Sequence, residues 1–310
     1  MNLLKLKYPF TIENREPCAM CFGYFDGLHK GHMALVRKTQ EIAHQHKLKS
    51  SLFTFEPNPN FVLKKISKDE RLSSIDDRFD ILEKVGHDEM VVAQFNEEVA
   101  SLSPLEFIEN FIIKLNVKFV IVGFDFRFGK KGQGTPEFLK EVANNRYEVI
   151  VIDEISDNEI KIASSWIITL LKNGQIEKAN NLLGYNYQVR GEVVKGFGRG
   201  KKLQFPTINI KQDVNYVMPK RGVYAVLISI KGKTYQGMAN VGKHPTVGSL
   251  DEDLIEVNVF DFNEEVYGER VQVKFIKFLR DEYKFLTIEA LIRQMEDDKE
   301  KVLTYFTKNL

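Results

Sequence analysis

Ten residues, Gly23-Tyr24-Phe25-Asp26-Gly27-Leu28-His29-Lys30-Gly31-His32, bring glycines, a carboxylate and two histidines three apart into one short stretch. An apolar run precedes them and a helical pattern follows, so they read as a turn between a strand and a helix. Gly23, Gly27 and Gly31 let the backbone come close to a phosphate, and a helix opening near Gly31 aims its free N–H groups at it. His29 and His32, protonated or donating, can offset charge that builds on an α-phosphate during in-line displacement. Asp26 can orient the loop or a metal-bound nucleotide. The chemistry this layout suits is transfer of a nucleotidyl group.

A second constellation lies far along the chain. Gly191, Gly196, Gly198, Arg199, Gly200 and Lys201 form a glycine-spaced basic loop after a strand, followed by Phe205-Pro206-Thr207-Ile208-Asn209. Backbone N–H groups of such a loop can cradle phosphates. A Thr hydroxyl and an Asn amide two apart on a strand point to one face. Thr207 and Asn209 can therefore hold Mg²⁺ together with the phosphates it bridges, which is much of what phosphoryl transfer needs.

These residues need elements to hold them. Between about 18 and 172, short β-rich runs (Ala19–Phe22, Ser51–Phe55, Glu89–Ala93, Phe119–Val122, Glu148–Ile152) alternate with helical stretches (Met33–His46, Ser74–Lys84, Pro104–Leu115, Pro136–Asn144). That alternation predicts an α/β, Rossmann-like parallel sheet covered by helices, with ligands at the carboxyl ends of the strands. The loop Gly123–Gly129, with Asp125 and Arg127, also follows a predicted strand and can face the same pocket. Two short helical patterns, Ser165–Lys172 and Ile176–Leu182, close this half. After Gly184 strand-like runs dominate (Tyr187–Val194, Val223–Ile230, Tyr235–Val241, Ile255–Phe260, Val271–Leu279). They predict a small antiparallel β-barrel. Thr287–Thr307 carries apolar residues at helical spacing and reads as a terminal α-helix on that barrel.

Composition narrows the class. The 310 residues are 43% hydrophobic and 28% charged, and Lys+Arg 44 against Asp+Glu 43 leaves a net charge of +1. Such a balance gives no global field for nucleic acid or acidic lipid. No apolar run approaches the length of a membrane span and no signal-peptide pattern precedes Tyr8, so the expected location is the cytoplasm. Composition sets no oligomeric state. Cys18 and Cys21 have C-x-x-C spacing but enter an apolar strand, which reads as structural rather than as a redox or zinc pair.

With these motifs in place, the chain resembles the prokaryotic bifunctional riboflavin kinase/FAD synthetase (FMN adenylyltransferase) family over nearly its whole length. The resemblance is carried by Gly23–His32, Thr54–Pro59, Arg71–Asp77, Gly123–Gly129, Ala179–Gly184, Gly191–Asn209, Gly222–Ala225, Asn240–Thr246, Glu256–Phe262 and Phe278–Glu282. It implies an FMN adenylyltransferase-like half over 1–183 and a riboflavin kinase half over 184–310. It implies riboflavin, FMN and ATP/ADP as ligands, FAD as a further one if the second activity is present, and Mg²⁺ with the ATP. It makes Thr207 the Mg²⁺ contact, with Asn209 beside it. Glu256 becomes the general base for the ribityl 5′-hydroxyl. The adenylyltransferase-like site would comprise Gly23, Phe25, Asp26, Gly27, His29, Gly31, His32, Asn58, Asp125, Arg127, Ser164 and Ser165.

One departure matters physically. The family's Ser-Ser-Thr-Arg-Ile-Arg segment reads Ser164-Ser165-Trp166-Ile167-Ile168-Thr169 here, and Pro-His-Pro reads Pro57-Asn58-Pro59. Arginines clamp phosphates bidentately in a way neutral residues do not. Losing two such contacts costs on the order of 10²–10⁴ in rate. The expectation is a riboflavin kinase whose adenylyltransferase half is weak or silent. The alternatives are a fully bifunctional enzyme that finds its clamp at Arg127, Lys130 or Lys131, and a flavin- or nucleotide-sensing regulator without turnover.

Overall fold

The computed structural model describes residues 1–157, 160–195, 205–243 and 253–309. The chain forms two compact units, Met1–Ala163 and Ser164–Leu310.

The first unit is built on six strands: β1 (Asn2–Leu6), β2 (Cys18–Phe22), β3 (Lys49–Glu56), β4 (Glu89–Gln94), β5 (Val117–Gly123) and β6 (Glu148–Ile152), in spatial order β1-β4-β3-β2-β5-β6. Every pairing is parallel. Such sheets are covered on both faces, and β2 shows why its sequence fits. Cys18, Met20 and Phe22 enter one core with Phe53, Phe107 and Phe111, while Ala19 and Cys21 enter the other with Leu28, Val36 and Leu52. Both cysteines are buried free thiols on opposite faces of one strand. Burial pushes the Cys21 thiol up to about 12, so it is an inert core residue, as the strand reading expected.

The helices of this unit are α1 (Lys30–His46), α2 (Pro59–Val62), α3 (Ile75–Lys84), α4 (Glu97–Ser101), α5 (Pro104–Ile108) and α6 (Pro136–Glu141). The expected helix 104–115 is α5 followed by a π-helical turn at Glu109–Ile113. A two-residue pair, β7 (Ser156–Asp157) and β8 (Ile160–Lys161), stands apart from the main sheet. Chain order runs outward from β2 to β4 and returns to β5 on the other side of β2. The sheet therefore switches direction between β2 and β5, where ligands of open α/β sheets bind.

The second unit opens with α7 (Ser164–Lys172) and α8 (Ile176–Leu183). Six antiparallel strands follow: β9 (Gln188–Val194), β10 (Ile208–Gln212), β11 (Gly222–Ile230), β12 (Lys233–Lys243), β13 (Asp253–Val259) and β14 (Arg270–Arg280). They close as β10-β13-β12-β11-β14-β9. The terminal helix Ile288–Asn309 lays Val302 and Phe306 against Ala225, Met238 and Phe260 of the barrel. The expected fold class, a parallel α/β half and an antiparallel barrel with a terminal helix, is the observed one.

Candidate active sites

In the first unit the turn after β2 is tied down from the side by the segment before α3. Asp26, 6% exposed, accepts the N–H groups of Leu72 and Ser73, each at 3.0 Å, and the Ser73 hydroxyl at 3.3 Å. The Gly27 N–H donates to Ser73 Oγ at 2.8 Å. Beneath them lies Arg78, fully buried. Its guanidinium donates to the Tyr24 carbonyl (3.0 Å), Thr54 Oγ1 (3.4 Å), the Ser73 hydroxyl and carbonyl (3.1 Å each) and Asp26 Oδ1 (3.4 Å). Burial pushes the Asp26 carboxyl up, and the Arg78 charge opposes that. Asp26 thus ties the turn after β2 to the segment before α3. Arg78 was not legible there, because an Asp-Asp-Arg run on a helix reads as a solvated face.

His29 caps α1: its Nδ1 accepts the His32 N–H at 3.3 Å. A backbone N–H can only donate, so the neutral ring carries its proton on Nε2. The two imidazoles stack, centroids 3.7 Å apart and 17° from parallel, and the Phe25 ring meets His32 edge-on at 5.3 Å. Residue 31 is glycine because the His29 ring lies over it; a Cβ there would sit 3.2 Å from two ring atoms. Burial lowers the His29 pKa to about 4, with the Lys161 charge adding to it. Burial, then the His29 and Arg78 groups, hold His32 well below its ordinary value. At neutral pH both histidines are therefore uncharged donors, not cations.

β5 lies beside β2, so the loop holding Asp125 and Arg127 begins next to Gly23. Asp125 pairs with Lys161 Nζ at 2.5 Å, and that ammonium stands 4.7 Å from the Phe124 ring centre. Arg127 is exposed and donates to the Phe126 carbonyl, and Lys130 and Lys131 form an exposed single turn. Asn58 is buried and caps α2 by accepting the Asn60 N–H at 2.9 Å. Arg71 is gripped by Glu56 and Asp69. Ser164 and Ser165 begin α7, in the second unit, where Trp166 and Ile168 are partly buried.

In the barrel, Asn209 of β10 and Glu256 of β13 are register partners, so their side chains share a face across adjacent strands. Asn209 is 7% exposed. Thr207 directly precedes β10, and Asn258 Nδ2 donates to the Pro206 carbonyl at 2.8 Å, anchoring the chain one residue before it. The three residues singled out for phosphoryl transfer thus come together. Gly191 pairs with Gln212 on β10, where a Cβ would collide with the Lys211 carbonyl. Gly196, Gly198, Arg199, Gly200 and Lys201 lie outside the described residues.

The FAD synthetase family model matches residues 11–166, and the riboflavin kinase family model matches residues 183–306. The bifunctional riboflavin kinase/FMN adenylyltransferase of Listeria monocytogenes is 37% identical over 311 residues, covering 99% of each chain. The chain belongs to this family. The Bacillus subtilis bifunctional riboflavin kinase/FMN adenylyltransferase is 36% identical over 312 residues, again 99% of each chain. A crystal structure of a Streptococcus pneumoniae protein described as a macrolide-efflux protein superposes with a TM-score of 0.89 at 32% identity, covering 97% of this chain and 98% of that one. Within the described residues no helix is long and apolar enough to cross a membrane.

Proposed function

We propose that the chain is a fully bifunctional member of the family. Its barrel phosphorylates riboflavin with ATP, and its first half joins the resulting FMN to AMP from a second ATP. The observation that carries this reading is likeness along the whole chain to relatives named for both activities. It supports the bifunctional alternative better than the expectation of a silent adenylyltransferase half drawn from Trp166 and Ile168. The intact scaffold of Asp26, Ser73 and Arg78 under the His29–His32 pair also favours it.

In the kinase reaction Glu256 accepts the proton of the ribityl 5′-hydroxyl as its oxygen bonds to the γ-phosphorus and ADP departs. Thr207 and Asn209 offer a hydroxyl and an amide oxygen, hard donors of the kind Mg²⁺ takes. Among the described residues no group of three or more His, Cys, Asp or Glu could hold a metal alone. The ion would come with the nucleotide and would offset phosphate charge. In the adenylyl transfer an FMN phosphate oxygen bonds to the α-phosphorus and pyrophosphate departs. His29, with Nε2–H outward from its cap, donates to the charge that develops there. Asp125 and Arg127, on the loop after β5, border the proposed site of the first unit.

The test is the second reaction alone. Purified protein given FMN, ATP and Mg²⁺ is expected to yield FAD with multiple turnovers when the flavins are separated chromatographically. Product limited to FMN at all enzyme concentrations would return the silent-half reading.

A further inference from the structure

The barrel carries a row of polar side chains of which the kinase reading uses only part. Asn209 of β10, Glu256 of β13 and Asn240 of β12 are register partners on three consecutive strands. Their side chains therefore emerge on one face, with neighbouring Cα atoms about 4.5–5.5 Å apart. Asn209 and Glu256 already have roles in that reading; Asn240 has none. Its Nδ2 donates to Glu282 Oε1 at 3.0 Å. Glu282 follows β14, and its carboxylate occupies the space over Gly242. A Cβ there would collide with Oε1 and come within 3.1 Å of Asn240 Nδ2. The carboxylate is therefore seated against the amide by a missing side chain, on a strand that is register-paired to Glu256's own.

An asparagine amide has two N–H donors and one acceptor oxygen. One N–H is committed to Glu282, which fixes which way the amide faces. The second is left for the neighbour in the row. We infer that Asn240 and Glu282 are positioning residues for Glu256: Glu282 orients the Asn240 amide, and Asn240 donates to one carboxylate oxygen of Glu256, turning the other toward the hydroxyl. The inference rests on Glu256 being the base. Neither positioning residue gains or loses a proton. The proton of the ribityl hydroxyl passes to Glu256 while the new O–P bond forms and the bond to ADP breaks. A base held in one orientation raises the rate of that step more than it tightens substrate binding.

The experiment is a double-mutant cycle on FMN formation from riboflavin and ATP, using Asn240→Ala, Glu282→Ala, the double variant and Glu256→Gln. Each single variant is expected to lower kcat about tenfold and leave both KM values within about twofold, and the double variant to be no slower than Asn240→Ala alone. Additive losses overturn the inference, because Glu282 would then act independently of Asn240. So do wild-type kcat values in the singles, or a rise in KM at constant kcat. If these occur while Glu256→Gln is inactive, the base assignment stands and the buttress alone falls. If Glu256→Gln keeps wild-type turnover, the base assignment falls and the inference with it. Should Asn240→Ala fail to fold by its melting curve, Asn240→Ser paired with Glu282→Ala completes the same cycle.

Discussion

His29 and His32 are neutral rings at neutral pH. A cap bond on Nδ1 sets the His29 tautomer, and burial keeps both rings unprotonated at neutral pH. The same physics acts on His87 at the opposite end of the sheet. It is 3% exposed, and burial lowers its pKa to about 4. Both His29 and His87 fall from 6.5 in the unfolded chain to about 4 when folded. The unfolded chain therefore takes up protons first. The stabilisation is complete above about pH 6.5 and drains as pH falls toward 4, by on the order of 3 kcal/mol per residue. Thermal melts of the wild type should show Tm falling over that window. His87→Phe, which fills similar space and does not titrate, should flatten the fall. An unchanged slope would remove His87 from the account.

At the scale of elements, Arg78 holds three of them in register: the turn after β2 through the Tyr24 carbonyl, β3 through Thr54, and the entry to α3 through Ser73. Ser74 and Asp77 form a capping box that stiffens that entry. Arg78→Ala leaves Asp26 buried without its counter-charge, a loss of about 3–5 kcal/mol in such settings. FAD formation from FMN is expected to fall more than about 100-fold, since donor placement within an ångström governs such sites. FMN formation from riboflavin, carried out in the other unit, should be unchanged. Equal loss of both activities would show that the arginine serves general folding.

The elements also show what the chain's pattern could and could not reveal. β2, β3 and β5 were legible because their faces are buried and their sequences apolar. β1 was not, because Asn2–Leu6 is an edge strand with most side chains in solvent. The helix at 104–115 was legible as a helix, but its π-turn was not, since a change from one hydrogen-bond step to another leaves the apolar spacing almost intact. Thr207, Asn209 and Glu256 could be named one by one. That Glu256 lies between Asn209 and Asn240 required the register of three strands, which no local pattern encodes.

For the whole molecule, two compact units match two family models, and in the proposed function the product of the barrel's chemistry is the substrate of the sheet's. A net charge of +1 gives no global field for phosphates, so the proposed function relies on local devices, the α1 N-terminus with its histidines and the Thr207–Asn209 pair. Separate sites on separate units can be silenced separately. The most direct measurement is chromatography of the flavins made by Glu256→Gln with ATP and Mg²⁺, supplied in turn with riboflavin and with FMN. The account predicts neither FMN nor FAD from riboflavin, and FAD from FMN at the wild-type rate. FMN formed from riboflavin by this variant, or no FAD from FMN in variant and wild type alike, would contradict it.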